Sequence, residues 1–350
     1  MNIVYSLVIL LFVVLIHEFG HYAAAKLVGV GVTEFSVGMG PELYQVNKNG
    51  TDYSFRLLPV GGYVLLEGAD EDSMEEYVDE NGKKHIRYVE TDSPTSFRNV
   101  SIPRRIFTML GGVIMNFIFA VILFAVSANL TGLPTTKIGE LVEGLPAANS
   151  DLKVGDRIIS VNDNPINEWE DVSKSLANTS GDDAKFVVER EGKVLEIKVT
   201  PSEENKKKIV GIYPLNRRTD FFESVSGGIK SAKYYTSLIF DFLNRAVHGK
   251  VGVDSLSGPV GIVKTIGETA KSGSETLIAF LAYINLNLGI FNLLPIPALD
   301  GSRILFLLLE AIRGKALNQK VEMALLSVGV VFLIALMIAV TYKDILSLFK

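Results

Sequence analysis

Four apolar stretches constrain this 350-residue chain more than anything else in it. The first, Met1 to Ile16, carries no charge and runs through His17-Glu18-Phe19-Gly20-His21 into Tyr22-Ala23-Ala24-Ala25. The second, Ile106 to Thr136, is 31 residues without a charge; the third, Thr276 to Leu299, has 24; the fourth, Met323 to Tyr342, has 20. A membrane-spanning helix needs about 20 predominantly apolar residues. The last three qualify alone. The first reaches that length only if residues 17–21 lie in the membrane with it. A cleaved signal peptide is the competing reading of this end, but no basic residues precede the apolar run, and cleavage would discard both histidines. The expected architecture is a polytopic α-helical membrane protein with four transmembrane helices, at 1–30, 104–131, 276–300 and 321–345. Net charge is −5, which gives no reason to expect nucleic acid. Cysteine is absent, so there is no disulfide framework, and any metal site must use nitrogen and oxygen.

The polar cluster in the first stretch carries the chemistry. Histidines four apart on a helix lie roughly 40° apart around its axis, so His17 and His21 can reach one ion. Glu18 sits about 100° away, close enough to touch a water beside that ion. This is the HExxH pattern, two imidazole ligands with a glutamate as general base. The alternative makes His17 and His21 interfacial residues and Glu18 a snorkelling acid. Ionisable groups inside a membrane segment are costly and usually functional. The chain has only four histidines, the others being His85 and His248.

Basic residues near helix ends set orientation. Lys26 follows the first helix, and Arg98, Arg104 and Arg105 precede the second; Arg303, Arg313, Lys315 and Lys320 lie between the third and fourth. Both connections read as cytoplasmic, with 137–275 and both termini outside. The expected location is the cell membrane, with the HEFGH end near its cytoplasmic face.

Between the first two helices, 31–103 reads as a membrane-associated β segment followed by a polar loop. Alternation at Tyr53-Ser54-Phe55-Arg56-Leu57 and the Asn49-Gly50 pair predict a hairpin. Its edge could accept an extended peptide, or the sheet could simply pack on the helices. Residues 69–96 are polar, with Asn81-Gly82 as a second turn. In the second helix, Gly111 and Gly112 suit close helix packing; Asn116 needs a polar partner in lipid, and either packs or steadies the metal site or a substrate.

Soluble patterning returns at 137–201. Leu152 to Asn162 reads as a turn into a strand, Trp169 to Ala177 as a short amphipathic helix, and Phe186 to Glu189 and Val194 to Val199 as strands about Glu191-Gly192. This extracytoplasmic α+β domain resembles a PDZ domain of the bacterial protease type, with Ser150-Asp151-Leu152 in place of that family's small-Gly-Leu. It either binds peptides by strand addition or acts as a steric cap. From Phe221 to Val247, apolar residues recur at helical spacing between charges, so 215–270 reads as amphipathic surface helices. Ser257 to Ile262, SGPVGI, marks a tight bend.

The third stretch ends Asn292-Leu293-Leu294-Pro295-Ile296-Pro297-Ala298-Leu299-Asp300-Gly301. The prolines break the helix, and broken helices are tolerated at membrane depth where they line a cavity. Asp300 lies at the same expected face as HEFGH and would complete a His₂Asp set with one open position, the pattern of a catalytic zinc. The alternative makes Asp300 a cap for a following helix, 302–311.

HEFGH (17–21), FSVGMGP (35–41), RLLPVGGYV (56–64), Gly112 to Asn116, SGPVGI (257–262) and NLLPIPALDG (292–301) together resemble the site-2 proteases, bacterial RseP-type intramembrane zinc metalloproteases. Val113 stands where that family often has proline. The resemblance implies Zn²⁺ held by His17, His21 and Asp300, with Glu18 as catalytic acid/base. It implies Asn292 on the substrate backbone, and Asn116, Gly61, Gly62 and Tyr63 as further substrate-binding positions. It implies hydrolysis of membrane segments of single-span proteins already trimmed by an upstream site-1-type protease, such as anti-sigma factors, or of signal-peptide remnants. Other classes that fit a membrane metal site are a metal or ion transporter and a catalytically inactive PDZ scaffold. Four helices without an internal repeat speak against the first, and neither needs Glu18.

Overall fold

The computed structural model describes residues 2–69, 74–78, 84–88, 92–177, 183–204, 207–252 and 256–348. In chain order the elements are α1 (Asn2–Val28), β1 (Val32–Lys48), β2 (Thr51–Leu66), β3 (Met74–Val78), β4 (Lys84–Tyr88), α2 (Ile102–Thr131), β5 (Leu133–Leu141), β6 (Arg157–Val161), β7 (Asn164–Pro165), α3 (Glu170–Ala177), β8 (Ala184–Arg190), β9 (Lys193–Val199), β10 (Ser202–Glu204), β11 (Lys207–Ile209), β12 (Ile212–Arg217), α4 (Phe221–Val247), α5 (Pro259–Lys271), α6 (Ser274–Leu293), α7 (Asp300–Arg313) and α8 (Gln319–Leu348). They form two compact units: Met1–Phe124 with Gly228–Lys350, and Ala125–Gly227.

Tyr5–Val28, Ile102–Thr131, Ser274–Leu293 and Gln319–Leu346 are long and apolar enough to cross a membrane. Gly29, in the left-handed conformation at φ 76°, ends α1 where a residue with a side chain would be strained. The third helix stops earlier than the expected 276–300. It ends at Leu293, and residues 294–299 form a loop because Pro295 and Pro297 supply no N–H to continue it. α7 then starts at Asp300 itself, two residues before the expected start.

β1 and β2 pair antiparallel around Asn49-Gly50, both with positive φ, as a tight hairpin requires. β2 then folds back, so residues 34–37 of β1 pair with 52–55 on one side and with 62–65 on the other. A partly buried polar knot fixes this sheet. Glu34 accepts hydrogen bonds from Ser54, from Arg56 at 2.7 Å and from Tyr63 at 3.0 Å. Burial pushes the Glu34 carboxyl up, but these three donors outweigh it and hold the group below the usual carboxylate range. The hairpin is tied to α1 by Lys26 donating to Thr51 and by a hydroxyl contact of 2.6 Å between Tyr22 and Tyr53. β3 and β4 pair antiparallel in a separate two-stranded sheet, and the expected turn Asn81-Gly82 lies outside the described residues.

SGPVGI has a specific partner. Asp344 of α8, 4% exposed, accepts from the N–H groups of Gly258 (2.9 Å) and Gly261 (2.7 Å), capping α5. A Cβ at either glycine would come within 2.9–3.0 Å of that carboxylate, which is why both positions need glycine.

The second unit is built on a sheet ordered β12-β5-β6-β8-β9, with β7 paired to β6. Ala184, Phe186 and Val188 alternate inward on β8 and meet Ile158, Val161, Ile138 and Leu176 in one core. The sheet is wider than 137–201: β5 begins at Leu133, and its outer edge is covered by β12, residues 212–217. Residues 191 and 192 make the β8–β9 turn, both at positive φ. Asp156, 1% exposed, accepts Nε and a terminal N–H of Arg190 at 2.6 and 2.7 Å and the Lys153 N–H at 2.9 Å.

Candidate active site

Close packing of α1 on α2 builds the site. An added Cβ at Gly20 would lie 2.3 Å from the Gly111 carbonyl oxygen, and one at Gly111 would lie 2.4 Å from that of Gly20. Each glycine therefore lets the other's backbone approach. One residue on, a Cβ at Gly112 would fall 2.5 Å from Nε2 of His21 and 2.6 Å from Cε1 of His17. Gly111 sets the helix spacing, and Gly112 leaves room for the two rings.

His17 and His21 are both 7% exposed, with ring centroids 4.7 Å apart and planes nearly perpendicular. Their Nε2 atoms are 3.2 Å apart. Asp300 Oδ2 is 3.2 Å from each of them. Ligand atoms about 2.0–2.1 Å from one ion at tetrahedral angles lie about 3.3 Å from each other, so the three donors already form one face of such a tetrahedron. A further observation fits. Asp300 Oδ2 is buried and close to both nitrogens, yet it makes no properly directed hydrogen bond. Atoms aimed at a shared point rather than at one another produce that combination. Among the described residues, His17, His21 and Asp300 form the one cluster able to hold a metal ion.

The outer ring nitrogens are engaged from behind. The Thr108 carbonyl lies 3.0 Å from Nδ1 of His21, and the Asn116 amide lies 3.0 Å from Nδ1 of His17. Such partners fix the ring orientation and leave Nε2 for a metal. Thr108 acts through its backbone, so its side-chain identity gives no sequence signal. Asn116, expected among the substrate-binding positions, is fully buried behind His17.

Glu18 is half-buried, hydrogen-bonded by the Val64 N–H and electrostatically coupled to His21, His17 and Asp300. The returning segment of β2, residues 62–66, is thereby in contact with the acid. Gly62 packs against Leu15, where a Cβ would approach to 3.0 Å; Gly61 turns at φ 74°; Tyr63 points its hydroxyl at Glu34. Asn292, in the last turn of α6, places Nδ2 3.4 Å from Nε2 of His17, on the side of the ring that faces Asp300.

Asp300 is held by the fold of 294–301. The Ile296 N–H bonds to the Leu294 carbonyl at 2.7 Å, and Ser302 donates its hydroxyl to the Leu299 carbonyl. A Cβ at Gly301 would strike the Leu293 and Leu294 carbonyls at 2.4 and 2.3 Å. Ala298 sits at φ 77°, a left-handed conformation rare for a residue with a side chain. α7 is fastened by Leu307 in the core with Ala25 and Met109, and by Glu310 paired with both terminal nitrogens of Arg105. Sequence reasoning missed Ala298 because nothing in its side chain marks the strained position.

The family model that matches is Peptidase family M50, over residues 5–336. A chain of Fusobacterium nucleatum, provisionally named a zinc metalloprotease, is 36% identical across the full length of both. The regulator of sigma-W protease RasP of Bacillus subtilis is 34% identical, covering 96% of each chain. A probable protease of Enterococcus faecalis, eep, is 32% identical over the same shares. The chain belongs to Peptidase family M50, the site-2 proteases of the RseP type, and is a multi-pass, zinc-dependent membrane endopeptidase.

Proposed function

We propose that this endopeptidase cuts membrane-embedded segments of other proteins, with His17, His21 and Asp300 holding Zn²⁺ and Glu18 moving the proton. The observation that carries the reading is the 3.2 Å triangle of His17 Nε2, His21 Nε2 and Asp300 Oδ2 beside Glu18. Zinc, when bound there, supplies a Lewis acid that acidifies water and polarises the scissile carbonyl. Glu18 takes a proton from the attacking water as its oxygen bonds to the carbonyl carbon. It returns that proton to the amine nitrogen as the C–N bond breaks. Asn292 projects toward the same point and steadies the substrate backbone. Residues 62–66, with Gly61, Gly62 and Tyr63, receive the unwound segment as an added strand, which offsets the cost of exposing backbone polar groups in lipid.

The basic connections support a site near the cytoplasmic face and the Ala125–Gly227 unit outside. The short helix α3 and the six-stranded sheet of that unit support the PDZ-like reading. In the membrane, substrates are single-span proteins trimmed beforehand by a site-1-type protease, or signal-peptide remnants; the RasP relationship supports anti-sigma factors among them. Glu18→Gln is expected to hold zinc as the unaltered chain does while cleavage of a membrane-spanning substrate falls to background. Retained cleavage at equal zinc content would remove Glu18 from this role.

A further inference from the structure

Asn116 is the one fully buried polar side chain that touches a metal-site ring from α2. Its amide lies 3.0 Å from Nδ1 of His17, while its Oδ1 is buried without a hydrogen-bond partner. Leaving a buried acceptor unpaired is unfavourable, which points to a second arrangement of this amide. The chemistry of the ring identifies it. A neutral imidazole that gives its Nε2 lone pair to a metal carries its proton on Nδ1. Nδ1 then needs an acceptor, and an NH₂ group is not one. A half turn about the terminal bond of Asn116 exchanges its oxygen and nitrogen and brings Oδ1 to Nδ1–H.

The geometry points to Asn116 as a positioning residue for zinc: its Oδ1 accepts the Nδ1 proton of His17, selecting the tautomer in which Nε2 is free for the ion. The inference rests on the zinc site proposed above. His21 receives the same service from the Thr108 carbonyl, an acceptor that cannot be exchanged for a donor. The two ligands of α1 are therefore held differently, one by fixed backbone and one by a side chain that can present either face. Gly289 of α6 lies against Asn116, where a Cβ would approach the Asn116 Cβ to 3.3 Å, so the amide has α6 at its back and little freedom to move away from the ring. With zinc absent, the NH₂ face satisfies the other tautomer; with zinc present, the oxygen face does.

The test is zinc affinity, measured by competition with a chelator on full-length protein in detergent, independently of cleavage. Asn116→Leu keeps the volume and removes the acceptor; zinc binding should weaken about 10–100-fold, the usual effect of losing such a partner. Asn116→Asp offers an oxygen at both positions and should bind zinc as the unaltered chain does. A role as donor, or as mere filler, predicts otherwise: a donor role makes Asp as damaging as Leu, and a filler role makes both harmless. Either result overturns the inference; if the Leu variant does not fold, Asn116→Ala, which also removes the acceptor, takes its place beside the Asp variant. His17→Ala is the control on the site itself. If it retains zinc, the proposed ligand set falls and this inference with it. If it loses zinc while Asn116→Leu does not, only the role of Asn116 falls.

Discussion

Asp156 and Asp300 are both carboxylates withdrawn from water, and the protein treats them in opposite ways. Asp156, in the Ala125–Gly227 unit, has each oxygen spoken for by Arg190 and the Lys153 N–H, in well-directed bonds of 2.6–2.9 Å. Asp300, in the membrane unit, has two imidazole nitrogens at 3.2 Å and a buried oxygen with no proper hydrogen bond. Burying an unsatisfied polar atom costs free energy, and a protein keeps that cost where the atom has another use. Asp344 falls on the structural side of the line, since its Oδ2 is satisfied by two backbone N–H groups. A carboxylate that holds a fold is saturated by the protein, and the one proposed to hold an ion is left open for it.

Asp300→Ala should break the comparison most visibly. Zinc content and cleavage should both fall by more than about 100-fold, beyond the loss of an outer-shell partner. Without zinc, the folded chain should lose little stability, because the substitution removes an oxygen that has no directed hydrogen bond. If Asp300→Ala kept its zinc but lost its fold, Asp300 would belong with Asp156 as a structural group.

The converse substitution sharpens the contrast. Asp156→Ala should leave zinc content unchanged and lower the stability of the Ala125–Gly227 unit. The readout is faster amide exchange at 150–156 and along β8, measured in the full chain. The pH dependence has a defined sign. Burial raises the Asp156 carboxyl, but the Arg190 hydrogen bonds and the Lys153 N–H outweigh it and hold the group below its usual value. Its contribution is therefore complete above the ordinary aspartate value of about 3.9 and lost as pH falls through the depressed one. Protection of β8 should decline only in acid below about pH 4, and the Ala variant should not show that step. A decline centred near pH 6 would assign the effect to another group.

The same contrast explains what was legible in the sequence. The four spans were readable because lipid demands long apolar runs, and HEFGH because its two imidazoles share a helix face at fixed spacing. Asp300 was readable only as a carboxylate at the right end of the third span. The strand edges of the 125–227 unit were harder: residues 212–217 complete its sheet far from the patterned 137–201 stretch, and pairing partners carry no sequence mark. The turns Asn49-Gly50 and Glu191-Gly192 announced themselves through the glycine that a positive φ requires. Asn116 was visible as a polar residue in an apolar run, but its partner was not. Side-chain contacts 99 positions apart depend on how α1 and α2 meet, which Gly20 and Gly111 decide. Thr108 acts through its carbonyl, so no substitution pattern at that position would reveal it.

The smallest expected effect concerns the loop that delivers Asp300. Ala298 holds φ 77°, and its side chain is exposed, so its Cβ adds strain without packing. A left-handed conformation costs an L-residue roughly 1–2 kcal/mol, whereas glycine adopts it freely. Glycine also loses more backbone entropy on folding, worth roughly 0.5–1 kcal/mol against alanine. The difference leaves Ala298→Gly more stable by up to about 1.5 kcal/mol, with zinc affinity unchanged, because the turn that aims Asp300 is the same. Ala298→Val tests the opposite direction, since a β-branched side chain resists positive φ far more than alanine does. It should weaken zinc binding by forcing the loop out of the turn. If instead Ala298→Gly weakened zinc binding as the Val variant does, the aim of Asp300 would depend on a rigid, strained backbone at 298 rather than on the left-handed turn alone. The open carboxylate would then be held in place by strain as well as by Gly301 and the prolines before it.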